Sequence, residues 1–178
     1  MNELGFKIRP EIDVATNTAV NIEQEHHEIH EGDHYNYCDY DTTVTGTDVI
    51  NFVMTTSDTP KWVHLTFNVY SATGATIELY EAPTTIAGGS TITPRNNNRN
   101  STKVSTVTII KDPSSIGGDG TRTAGYLAGT KKSGGAAERS KEFILQQNTA
   151  YLVRITSLAA SNLISWCIDW YEHINKSS

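Results

Sequence analysis

Four histidines, His26, His27, His30 and His34, fall within nine residues, preceded by Glu23 and interleaved with Glu25, Glu28 and Glu31. Imidazole is the commonest metal ligand, and its charge changes near neutral pH, so the cluster invites either metal binding or a contact that responds between roughly pH 5 and 7. On a helix, His26, His30 and His34 would align at four-residue spacing; on a strand, His26, Glu28 and His30 would share a face. Gly32 argues against one helix passing through all three. A metal site also needs fixed geometry and outer partners, so a solvated polar surface is the plainer reading and no metal ligand is assigned. Two carboxylate pairs, Glu78 with Glu81 and Asp169 with Glu172, have the residue types for hydrolysis, but their spacing is equally that of solubility charges on strand edges. The chain has no G-x-S-x-G, phosphate-loop or C-x-x-C string. The expectation is therefore no enzyme, with no catalytic, cofactor-binding or metal-ligating residues.

Cys38 and Cys167 each fall inside an expected strand, where free cysteine behaves as a small hydrophobe, and two reduced thiols are expected. Trp62, Trp166 and Trp170, with eight tyrosines, have the amphipathic rings that stack on sugars. Trp166 and Trp170 flank Ile168 on one strand face, however, and such a stripe is more often core. Trp62 lies opposite the core face of its strand and is the candidate exposed ring.

The elements that must position these groups are mostly strands. Residues 142–156 place Tyr151, Val153 and Ile155 on one face and Arg154 and Thr156 on the other, the period of a half-buried strand. After the small-residue break 157–162, the closing strand has Ile164, Trp166, Ile168 and Trp170 on one face and Leu163, Cys167 and Tyr171 on the other. Apolar residues on both faces predict a central or interface position. Residues 48–57 and 61–71 read as core strands through Ile50, Phe52 and Met54 and through Val63, Leu65, Phe67 and Val69. The turn-forming SDTP between them predicts a hairpin. Further strands are expected at 34–41, 75–83, where Ile77 and Leu79 point inward, and 103–112, with a polar strand at 22–31. Residues 84–100 are turn-rich, and their asparagines can cap their own backbone. The glycine-rich stretches between 113 and 139 read as long loops around a short strand at YLAG. About eight strands with regular turns predict an all-β chain: an antiparallel β-sandwich over 22–178, jelly-roll-like, preceded by an extended N-terminal arm over 1–21.

At 178 residues the chain fits one domain plus an arm, and a domain of roughly 150 residues buries enough surface to hold a core without staples. A formal charge of −6 gives no basic footprint for a phosphate backbone, so no nucleic-acid partner is expected. No stretch has the apolar length of a signal peptide or a membrane span, so synthesis in the cytoplasm and no membrane partner are expected.

Five strings, in order, resemble the small virion-surface proteins of tailed bacteriophages known as capsid auxiliary, decoration or head-fibre proteins: HEIHEGDHYNYCDYD, IELYEAP, RNNNRNS, EFILQQNTAYLVRITS and WCIDWYEH. The likeness runs from about Glu25 to His173. It implies a homotrimeric β-sandwich that sits on the lattice of the major capsid protein, at the virion surface, and does no chemistry. It carries over no individual functional residue. Two other readings remain: a receptor- or glycan-binding adhesin module on a fibre, using loops 84–100 and 113–139, and a metal-dependent β-barrel enzyme using the histidines.

Overall fold

The two most strongly patterned segments, 61–71 and 162–174, lie side by side in the computed structural model, which describes residues 24–129 and 142–174 together with the backbone of 12–13 and 18–19. In chain order the elements are β1 (Ile12–Asp13), β2 (Thr18–Ala19), α1 (Gln24–Glu31), β3 (His34–Val44), β4 (Val49–Thr55), β5 (Lys61–Ser71), β6 (Ala75–Glu81) and β7 (Thr84–Ala87). There follow β8 (Ser90–Ile92), β9 (Arg95–Asn96), β10 (Thr108–Lys111), β11 (Ser115–Gly118), β12 (Thr121–Ala128), β13 (Phe143–Leu145), β14 (Ala150–Ser157) and β15 (Asn162–Ile174).

Two antiparallel sheets carry the core. One has the order β12-β6-β14-β4-β10-β8, the other β13-β5-β15-β3-β9. The chain is all-β and sandwich-like: inward residues of both sheets join one apolar cluster, including Phe52, Met54, Leu79 and Ile155 from the first and Leu65, Phe67, Trp166 and Trp170 from the second. Phe52 bridges the layers, with its ring 5.5 Å from that of Trp166 and 5.9 Å from that of Tyr37. β15 is hydrogen-bonded on both sides, to β5 and β3, the central position expected of it; its inner face enters the core, while Leu163 on the outer face is exposed. Trp166 and Trp170 are buried as core, and Trp62 is exposed.

Several expectations are corrected. Of the strand expected at 22–31, the described part, Gln24–Glu31, is helical. Gly32, at φ 76°, ends the helix in the left-handed region, with Gly32 N–H donating to Ile29 O and Asp33 N–H to Glu28 O. That is the double bond of a glycine-terminated helix. β4 and β5 do not form a hairpin, because the five residues between them carry the chain from one sheet to the other. Period two reveals which face is buried but not which strand is the neighbour. The strand expected at 103–112 begins only at Thr108, because Ser105 and Thr106 turn inward to bond a carboxylate. Within the glycine-rich stretches, β11 pairs with β7, and β12 pairs with β6 through seven register partners, with an irregularity between Arg122 and Ala124. β1 and β2 pair with each other. The rest of the arm expected over 1–21, and loop residues 130–141, lie outside the described residues.

The two ends of the sandwich differ. At one end, the turns after β3, β5 and β14 are short. The turns after β5 and β14 are tied by fully buried Asn162, whose Nδ2 donates to Ser71 Oγ (2.9 Å), Gly74 O (2.9 Å) and Ser157 Oγ (3.0 Å). At the other, β3 and β5 start where β15 finishes, and β4 and β6 finish where β14 starts. Helix α1 and the asparagine-rich loop sit at this second end.

Candidate functional site at the helix-bearing end

The asparagines of RNNNRNS act first on their own backbone, as their chemistry predicts. Asn98 N–H donates to Asn96 Oδ1 (2.9 Å) and Asn100 N–H to Asn98 Oδ1 (3.1 Å). Their amide donors then reach across to the helix terminus: Asn96 Nδ2 to Gly32 O (2.8 Å) and Asn98 Nδ2 to His30 O (3.0 Å). Carbonyls at a helix end have no intrahelical partner, so these bonds cap α1 from a loop more than sixty residues away. The approach is close enough that a Cβ on Gly32 would collide with Ser101 Oγ.

Beneath the loop, β15 contributes Glu172, which is fully buried. Its carboxylate accepts from Ser105 Oγ (2.6 Å), Thr106 N–H (3.0 Å), Thr106 Oγ1 (2.6 Å) and Trp170 Nε1 (3.3 Å), with Lys61 Nζ 3.9 Å away. Lys61 and Lys103 both bind Asp33, at 2.8 and 2.6 Å. Burial alone would raise the Asp33 carboxyl, but these two ammonium groups hold it below the usual carboxylate range. Glu172, Asp33, Lys61 and Lys103 line an open cavity of about 860 Å³ together with Gln24, His27, Glu28 and Glu31, and with the exposed apolar Val104 and Ile174.

The four clustered histidines do not converge. His26 Nε2 and His30 Nε2 are 3.0 Å apart on the exposed side of α1. His27 turns to Glu28 (3.4 Å), while His34 is buried on β3 with its Nε2 3.3 Å from Glu25 Oε1. A second, unforeseen histidine group lies on the outer face of the five-stranded sheet. His64 Nε2 is 2.8 Å from His173 Nε2, and Tyr171 Oη lies 3.0 Å from His64 Nδ1 and donates to Glu142 Oε1 (2.6 Å). Burial depresses the His64 pKa against the opposing pull of Glu142. The register of β5 with β15 sets this group, Tyr171 facing His64 and His173 facing Trp62, and that register was not legible in the sequence.

Neither carboxylate pair forms a dyad. Residues three apart on a strand point to opposite faces. Glu78 binds Arg122 on the outer face (3.1 Å) while Glu81 accepts from Tyr151 Oη (3.0 Å). Glu172 points inward and Asp169 outward. Both were expected as edge charges, yet β15 is central, so Glu172 is buried and Asp169 is half-buried with its carboxyl pushed up to about 6 by burial and by Glu25. Cys38 and Cys167, expected as separate thiols, are direct register partners joined as a disulfide. Among the described residues, one group of three candidate metal ligands comes together, and it is Cys38, Cys167 and Asp169.

No protein-family model, curated protein or solved structure matches the chain.

Proposed function

We propose that the protein is a non-enzymatic virion structural component that docks on the outer surface of a bacteriophage capsid lattice through the helix-bearing end of its sandwich and reinforces the shell. One observation carries this reading: the strings that resemble decoration proteins, scattered over about 150 residues of sequence, meet in space. RNNNRNS caps the helix that opens HEIHEGDHYNYCDYD, WCIDWYEH holds the loop that follows RNNNRNS, Glu142 of EFILQQNTAYLVRITS accepts from Tyr171, and Tyr151 donates to Glu81 of IELYEAP. These contacts bring the five strings together at the helix-bearing end, which supports reading that end as the one built for a partner. Val104, Ile174, Trp62 and Ile144 stand exposed around this end and supply apolar area for contact.

The strand order supports reading the sandwich as a jelly roll. β3-β15-β5-β13 and β4-β14-β6-β12 are the two interleaved four-stranded sets that two Greek keys produce, with β8, β9 and β10 added at the edges. Reinforcement follows from mass action: a partner that binds only the assembled lattice stabilises it by its binding free energy, and repeated contacts add avidity. In this reading the functional unit is a homotrimer. Size-exclusion chromatography with light scattering should report three chains, and the protein should then pellet with empty shells. Removing residues 1–21, the arm of this proposal, should weaken pelleting; equal pelleting would refute the arm's part in docking.

A second reading, a glycan-binding fibre module, is favoured by Tyr40 (67% exposed) and Tyr70 (50% exposed), which flank Ser165 in one row on the outer face of the five-stranded sheet. Binding on a glycan array that Tyr40→Ala abolishes would favour it; an array without hits would remove it.

A further inference from the structure

We propose that Cys38, Cys167 and Asp169 form a redox-gated site for a thiophilic divalent cation, with zinc the natural occupant, which becomes competent when the cross-strand disulfide is reduced. The ligand atoms of the three residues all lie within 4.8 Å of one another. They sit on the outer face of the five-stranded sheet, where Cys38 faces Cys167 and Asn36 faces Asp169 in the β3–β15 register. β15 is paired on both sides, so the backbone that presents the ligands is fixed.

The surroundings suit two thiols or a cation better than a disulfide. Cys167 Sγ is 3.0 Å from Asp169 Oδ2, and Cys38 Sγ is 3.7 Å from Asn36 Oδ1. The Asn36 amide is held in that orientation because its Nδ2 donates to Asn97 Oδ1. Each sulfur therefore faces an acceptor oxygen, and a disulfide sulfur has no proton to offer it. In the dithiol both S–H groups gain an acceptor. When a cation replaces the protons, the same four atoms become two thiolates, one carboxylate oxygen and one amide oxygen. Glu25, close enough to act on Asp169, adds negative field that favours the cation. Two thiolates select zinc over magnesium or calcium. Zinc–sulfur bonds of about 2.3 Å at a tetrahedral angle place the sulfurs roughly 3.7 Å apart, a separation that rotation about the two Cα–Cβ bonds can supply.

The chemistry balances in two steps. A dithiol reductant breaks the Cys38–Cys167 bond, delivering two electrons and two protons to give two thiols, and is itself oxidised to a disulfide. The cation then binds, and the two thiol protons leave to solvent. The oxidised chain is thereby locked across β3 and β15 and closed to metal; the reduced chain exchanges the covalent clamp for a coordinate one.

The test uses the full chain, reduced with dithiothreitol and freed of it under argon, then titrated with Cd²⁺ as a spectroscopic stand-in and with Zn²⁺ against a chromophoric chelator. The expected result is one metal per chain with a thiolate-to-cadmium charge-transfer band, and neither with the oxidised protein. Cys38→Ser should abolish the band. Asp169→Asn should keep both thiols and the fold, checked by circular dichroism, yet weaken zinc by more than about tenfold. His26→Ala with His30→Ala should leave the band intact. A reduced wild-type chain that takes up metal without the band, or takes up none, would overturn the proposal, as would a Cys38→Ser chain that binds as tightly as wild type. None of these outcomes depends on docking to a capsid.

Discussion

Glu172 and Asp169 have the same charge, lie three residues apart on one strand, and meet opposite environments. Glu172 is buried among four donors, so truncating it leaves Thr106 N–H and Oγ1 without their acceptor and Ser105 and Trp170 with only their bonds to Val107 O (3.3 Å) and Ser105 Oγ (3.2 Å). Glu172→Ala should lower the unfolding free energy by about 3 kcal/mol in urea denaturation, whereas a change within about 0.5 kcal/mol, typical of a surface site, would contradict the anchor role. Asp169 acts in the reverse direction. Its folded-state pKa of about 6 lies above the ordinary carboxylate value, so its contribution to stability is complete only below the unfolded value, at about pH 3, and is lost as pH rises through 6. In the disulfide form, Asp169→Asn should be more stable than wild type by about 1 kcal/mol at pH 7.5, discounted for partial exposure, and no more stable at about pH 3. An equal difference at both pH values would show that ionisation is not the cause. The sequence could not separate these two carboxylates. Their alternation predicts opposite faces, but which face has donors above it depends on a loop that arrives from residues 105 and 106.

The helix and its cap show where sequence patterning stops being informative. α1 is polar on nearly every side and its only fully buried residue is Glu28, so no apolar stripe announces it. It is positioned instead by the glycine terminus and the amides of Asn96 and Asn98. Gly32→Ala should cost roughly 1–2 kcal/mol, from a left-handed backbone made less favourable and from displacement of Ser101. Hydrogen exchange should localise the effect, with faster exchange at the Gly32 and Asp33 amides and unchanged protection at Phe52 and Val153. Uniform loss of protection would mean that the helix end and the core are one cooperative unit. The strands were the legible part. Ile50, Phe52 and Met54 and Val63, Leu65, Phe67 and Val69 are buried as their alternation requires. Their partners were not legible, because the short turn-rich link at 56–60 serves equally well to close a hairpin or to cross between sheets.

Taken as a molecule, the sandwich has a plain end of short turns closed by Asn162 and an elaborated end bearing α1, the asparagine loop and the cavity. Among the described residues the apolar core draws on both sheets, and a fold that rests on them alone would not need residues 1–21. A chain lacking them should melt within a few degrees of the full protein, and a large drop in melting temperature would place part of the core in that segment. The asymmetry between the ends is what gives the proposed docking its direction. Val104, which lines the cavity and is 81% exposed, is well placed to test it, because a charge there perturbs the surface without entering the core. The decisive measurement is a co-sedimentation isotherm of the purified protein on empty shells of the cognate capsid, run for wild type and for Val104→Glu. The account predicts saturable binding for wild type at a fixed ratio to lattice sites and clearly weaker binding for the variant; wild type left in the supernatant, or two superimposable isotherms, would contradict it.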